Sequence, residues 1–178
     1  RANRRFYQIA LRTDLDLTDT ISLTAITSYD WYRQRQVTDG DGVDLSLYDL
    51  GKNDGFIHSF NQEVRLANSG DSAFRWIIGA NYEKSHTYED QILYYGDGST
   101  HRAANMFIDQ SGVTNDQKIT NYAFFGNVEY KIAADLTLKA GLRYTDSKIK
   151  ETNCGYSPNG TVNALFDVLQ QLFNPGQT

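Results

Sequence analysis

The chain has 178 residues, is 40% hydrophobic with a mean hydropathy of -0.54, and carries a formal net charge of -5. It holds no uninterrupted apolar run near the roughly 20 residues that a membrane-spanning helix needs, which excludes a helical membrane protein. An acidic balance without a basic stripe offers nothing to displace counterions from phosphate backbones, so no nucleic-acid partner is expected. What the chain does show is six stretches of apolar and polar residues in alternation, the mark of β-strands with two unlike faces.

Strand one, from about Phe6 to Asp16, sets Tyr7, Ile9, Leu11 and Leu15 against Gln8, Arg12, Asp14 and Asp16. A turn at Leu17-Thr-Asp19 leads into strand two, about Thr20 to Gln36. There Ile21, Leu23, Ala25, Tyr29 and Trp31 oppose Ser22, Thr24, Ser28 and Asp30. A Gly/Asp-rich loop follows from Val37 to Asp54. Strand three, about Gly55 to Ala67, sets Phe56, Phe60, Val64 and Leu66 against Ser59, Asn61, Glu63 and Arg65. The link Asn68-Ser-Gly-Asp-Ser72 is short and made of turn formers.

Strand four runs from about Ala73 to Leu93, with Phe74, Trp76, Ile78, Ala80 and Tyr82 on one face and Arg75, Gly79, Asn81 and Glu83 on the other. A long loop covers about Tyr94 to Asp116. Strand five, about Gln117 to Ile132, carries Tyr122, Phe124, Val128 and Tyr130 against Asn121, Asn127, Glu129 and Lys131. Ala133-Ala134 is the shortest link. Strand six, Asp135 to about Lys150, is the clearest case: Leu136, Leu138, Ala140, Leu142 and Tyr144 face one way, and Thr137, Lys139, Gly141 and Arg143 the other. From Glu151 to Thr178 the pattern is a long loop, in which Leu165, Phe166, Leu169, Leu172 and Phe173 recur at the spacing of a short helix.

Short links alternating with long loops are the pattern of an antiparallel transmembrane β-barrel. Such a strand needs apolar residues only at alternate positions, so the barrel is hydrophilic on average. Twelve Tyr, nine Phe and two Trp suit aromatic girdles at the membrane interfaces. Lipid is expected to meet Leu23, Trp76, Ile78, Phe124, Val128, Leu138 and Leu142. Glu63, Arg65, Arg75, Glu83, Glu129, Lys131, Lys139 and Arg143 are expected to face the lumen, where mixed signs on neighbouring strands favour ion pairs. Several strands exceed the roughly 9–11 residues that cross a bilayer, so the surplus is expected on the side of the long loops. Barrel polarity puts the short links near Thr18, Ser69 and Ala133 in the periplasm, and the loops near Asp41, Asp97 and Pro158 outside.

Motifs for chemistry are poor. His58, His86 and His101 have no metal-binding spacing, and Asp39-Gly-Asp-Gly-Val-Asp44 lacks the distal Glu of a calcium loop. Neither a catalytic set nor a cofactor is expected. Cys154, the one cysteine, supports no internal disulfide. The basic opening before Phe6 lacks the apolar core of a secretory signal, so the residues are expected to be an internal piece of a longer exported chain.

Four motifs in order narrow the family: Ser59-Phe-Asn-Gln-Glu-Val-Arg-Leu-Ala67, Trp76-Ile-Ile-Gly-Ala-Asn-Tyr82, Tyr122-Ala-Phe-Phe-Gly-Asn-Val-Glu-Tyr130 and Leu136-Thr-Leu-Lys-Ala-Gly-Leu-Arg-Tyr-Thr145. With Thr24-Ala-Ile-Thr-Ser-Tyr-Asp30 before them, they resemble the barrel of TonB-dependent outer-membrane receptors, in particular an α-proteobacterial group. The resemblance covers about Phe6 to Lys150. It implies an all-β, antiparallel barrel of about 22 strands closed by an N-terminal plug, of which this chain supplies about six strands and neither the plug nor a TonB box. It further implies import of an iron chelate (siderophore) or another large nutrient across the outer membrane, with outer-membrane lipid, the plug, the TonB complex and an extracellular ligand as partners. The alternative readings are a passive porin or structural barrel protein, and an outer-membrane enzyme, for which no rim cluster of Asp, His or Ser is visible.

Overall fold

The computed structural model describes residues 2–68, 72–98, 107–174 and 176. Ser69 and His101, both singled out above, lie outside them. The chain forms one six-stranded antiparallel sheet in sequence order: β1 (Ala2–Thr18), β2 (Ile21–Asp39), β3 (Asp49–Asn68), β4 (Phe74–Tyr94), β5 (Gln110–Lys131) and β6 (Thr137–Tyr156), followed by α1 (Asn163–Phe173). Every neighbour is the next strand in the chain, as in an up-and-down barrel wall.

Register divides the sheet into two faces. Leu23, Leu66, Ile78, Gly126 and Leu142 lie opposite one another across β2 to β6, and one residue along lies the row Thr24, Arg65, Gly79, Phe125 and Arg143. The first row belongs to an apolar face and the second to a polar one, because successive side chains point to opposite sides. Neither face is covered. Leu142 is 81% exposed, Ile9 73% and Phe124 63%, and among the described residues the buried hydrophobic side chains are only Ile108, Ala123 and Val162. A soluble sandwich would pack one face against a second layer, so this single-layer sheet rules that architecture out for the described residues.

The strands are 17 to 22 residues long, and all but β4 exceed what the sequence pattern marks. The loop between β2 and β3 shrinks to residues 40–48, that between β4 and β5 to 95–109, and β6 continues past Lys150 to Tyr156. These extensions were hidden because a hairpin projecting into water is polar on both sides; the alternation vanishes while the hydrogen-bond ladder continues. At the other end the links are tight. Thr18 Oγ1 accepts from the backbone N–H groups of Thr20 and Ile21 at 3.3 and 3.0 Å. Asn68 donates to the Phe74 carbonyl at 2.8 Å and accepts from the Trp76 N–H at 2.6 Å. The last link runs from Ile132 to Leu136, whose carbonyl accepts from the N–H of Ile132 at 2.9 Å, so Asp135 sits in the turn and not in a strand.

Candidate functional site

All eight charged residues expected in the lumen fall on the polar face, and all seven expected against lipid fall on the apolar one. On the polar face Glu129 is held from both sides, by Arg75 Nη2 at 2.6 Å and Lys139 Nζ at 2.9 Å, an ion-pair bridge across β4, β5 and β6. Arg65 pairs with Glu63 two residues away on its own strand. Glu83 accepts from Asn121 Nδ2 at 3.1 Å, and the Arg143 guanidinium lies 5.6 Å from the Phe125 ring centroid. Lys131 makes no ion pair among the described residues. Asp30 Oδ1, Asn115 Oδ1, Asn121 Oδ1 and Arg65 Nε are shielded from solvent without a hydrogen-bond partner. Buried polar atoms are nearly always satisfied in a finished structure, and these four share the polar face.

The long loops gather at one end of the sheet and hold one another. Ser46 and Asp97 exchange backbone and side-chain bonds at 2.9 and 3.0 Å. Asp109 Oδ1 accepts from Asn159 Nδ2 at 2.7 Å and from Thr161 Oγ1 at 2.9 Å. The three connections thus form one rim, with the helix α1 attached to it.

Register also assembles groups that linear spacing keeps apart. His58 lies directly opposite His86, whose Nε2 is 3.1 Å from Asp116 Oδ1, and Phe56 touches both imidazoles. In the first loop the carboxylates that converge are Asp39, Asp41 and Asp49, with Asp44 left out. They are engaged by the loop itself: Asp39 accepts from Gly42 N–H at 2.8 Å, Asp41 from Val43 at 3.0 Å and Tyr48 at 2.8 Å, and Asp49 from Ser46 Oγ at 2.5 Å. The bond from Val43, joined by that from Tyr48, holds the Asp41 carboxyl below its usual range. This is a turn that caps its own N–H groups, with no feature that calls for a cation.

The sequence profile of the family described as TonB dependent receptor-like, beta-barrel, matches residues 1–173. The chain belongs to that family. Among solved structures, the ferric yersiniabactin uptake receptor FyuA of Yersinia pestis superposes with a TM-score of 0.74 at 11% identity, over 88% of this chain and 22% of its own. The ferric-catecholate import receptor Fiu of E. coli K12, in its open form, gives a TM-score of 0.51 at 10% identity, over 89% of this chain and 28% of its own. At such identities the likeness establishes fold alone.

The chain therefore spans between a fifth and a third of these receptors' length, and its sheet is a partial wall of a TonB-dependent receptor barrel. In such a wall the free edges at β1 and β6 are where a barrel continues, since an open edge in lipid leaves backbone groups unpaired.

Proposed function

We propose that this chain is part of an outer-membrane transporter that imports an iron chelate (siderophore) or another large nutrient, driven by the TonB complex. The apolar face borders lipid. The polar face lines the lumen and meets the plug, and the joined loops lie outside the cell and take part in ligand capture. The observation that carries this reading is the match of the TonB dependent receptor-like barrel profile to residues 1–173, together with a polar face of mixed charges, Glu129 bridging Arg75 and Lys139, that offers donors and acceptors to a plug. The cargoes for which the two structural relatives are named, ferric yersiniabactin and ferric catecholates, support an iron chelate as the cargo. Exposed apolar side chains on the rim, among them Val43, Tyr48, Leu172 and Phe173, suit contact with a large organic ligand.

The test is uptake of radiolabelled ferric chelates by cells carrying the full-length protein. Uptake that stops when the proton-motive force is collapsed supports the transporter; uptake that continues unchanged identifies a passive pore.

A further inference from the structure

The polar face changes sign along its length, and the row Asn61, Glu83, Asn121 and Ser147 across β3 to β6 divides it. From that row towards the long loops, its charged side chains among the described residues are Asp30, Glu83, Glu89 and Glu151, with Arg4 as the lone cation. Towards the short links the same face carries Arg12, Arg65, Arg75, Lys131, Lys139 and Arg143.

Pairing divides at the same row. On the inward side Asp14 is held by Arg12, Glu63 by Arg65, and Glu129 by Arg75 and Lys139, with Asp16 the exception. On the outward side none of the four acids makes an ion pair among the described residues. Three of them meet amides instead: Asn121 Nδ2 donates to Glu83 at 3.1 Å, Gln91 Nε2 to Glu89 at 2.9 Å and Asn153 Nδ2 to Glu151 at 3.0 Å. Asp30 Oδ1 is shielded from solvent without a partner, and Arg4 is turned to Gln36 Oε1 at 2.8 Å. An amide donor satisfies a lone pair and leaves the negative charge uncompensated. The rim repeats the sign: Asp41, Asp44, Asp97, Asp109 and Asp167 stand in the three outer connections, against Arg102. A passage lined by one sign of charge between low-dielectric walls focuses its field, drawing in the opposite charge and repelling its own. An ammonium group is the complement here, because it donates three hydrogen bonds and accepts none.

We propose that the outer half of this wall selects a ferric chelate that carries a free ammonium group and turns away anionic chelates of similar size. The proposal rests on the transporter reading given above. The test measures import by cells carrying the full-length protein, with radiolabelled ferric complexes of one linear trihydroxamate whose terminal amine is free, acetylated or succinylated. The complex is then cationic, neutral or anionic around the same iron centre. The KM should rise in that order, by about tenfold from first to last at low ionic strength, and the spread should narrow as salt screens it. Asp30→Asn/Glu83→Gln/Glu89→Gln/Glu151→Gln should bring the three KM values together, whereas Asp146→Asn, on the apolar face, should keep the spread of the parent. Arg4→Gln, which removes the lone cation, should widen it, and decides the matter should the fourfold variant not assemble. Equal KM values or a reversed order in the parent, a fourfold variant that keeps the spread, an Arg4→Gln that narrows it, an Asp146→Asn that loses it, or no import of any of the three overturns the proposal. Import of all three that persists when the proton-motive force is collapsed overturns the transporter reading, and this proposal with it.

Discussion

Tyr156, at the outer end of β6, donates a 2.6 Å hydrogen bond to Asp90 Oδ1 of β4, its ring lying over Gly112 on the strand between them. Asp90 also accepts from Lys52 Nζ of β3 at 2.5 Å, so one carboxylate ties together strands β3, β4 and β6 at the end of the sheet that carries the long loops. Burial, reinforced by the bond to Asp90 and its charge, pushes the Tyr156 phenol up to about 12. Burial also pushes the Asp90 carboxyl up, but the bonds from Lys52 and Tyr156 outweigh it and hold the group below its ordinary value.

The signs of the two shifts give opposite pH windows. A raised phenol contributes stability that is complete below its ordinary value of 10.0 and is lost as pH rises towards about 12. A lowered carboxyl contributes stability above its ordinary 3.8, lost as pH falls through the folded value. Tyr156→Phe should therefore cost the folded full-length barrel about 1.5–3 kcal/mol at neutral pH, the scale of a hydrogen bond to a charged group. The difference from the parent should close on the alkaline side. Urea unfolding at a series of pH values measures it; a penalty that stays constant through that window contradicts the account.

A second close approach concerns Gly79. Phe125 lies across it on the polar face, where a Cβ would fall 2.8 Å from Phe125 Cε2 and 2.9 Å from the Val64 carbonyl oxygen. Gly79→Ala should destabilise the wall by about 1–3 kcal/mol, the usual cost of overpacking. Adding Phe125→Ala should return part of that loss, because the two sites share a contact and their effects are coupled. Strictly additive effects in the double variant would show that the ring does not need the glycine.

The two faces should respond unequally to charge. Leu142→Arg should cost roughly 2–4 kcal/mol if the site lies near the bilayer midplane, and Thr137→Arg, on the polar face, far less. Folding yield and urea midpoints in lipid vesicles of the full-length protein give the comparison. Equal penalties would remove lipid from the apolar face.

Where two faces differ, the sequence is readable: Leu138, Ala140 and Leu142 alternating with Thr137, Lys139 and Gly141 announce both the strand and its sides. Where both faces meet water it is not, which is why Asp49–Asp54, Gln110–Asp116 and Glu151–Tyr156 read as loop although they are strand. Contacts set by register are equally hidden. His58 and His86 are 28 residues apart and become neighbours only once β3 pairs with β4, and Lys118 meets Lys150 by the same means. In the first loop Asp44 is nearer in sequence to Asp39 and Asp41, yet chain reversal brings Asp49 to them instead. The mixed charges of the polar face were legible as a set, but not that Glu129 would bridge Arg75 and Lys139 while Glu63 and Arg65 pair along one strand.

Thiol labelling of intact cells tests most directly whether this sheet crosses the outer membrane with its long loops outward. Cys154 is exposed near the loop end of β6, so in the full-length protein it should react with a membrane-impermeant maleimide. With Cys154 replaced by Ser, a cysteine at Val43 in the first loop should also react, and one at Thr20 in the opposite turn should react only after the cells are opened. Labelling at Thr20 on intact cells, with Val43 and Cys154 protected, would invert the topology and contradict the account.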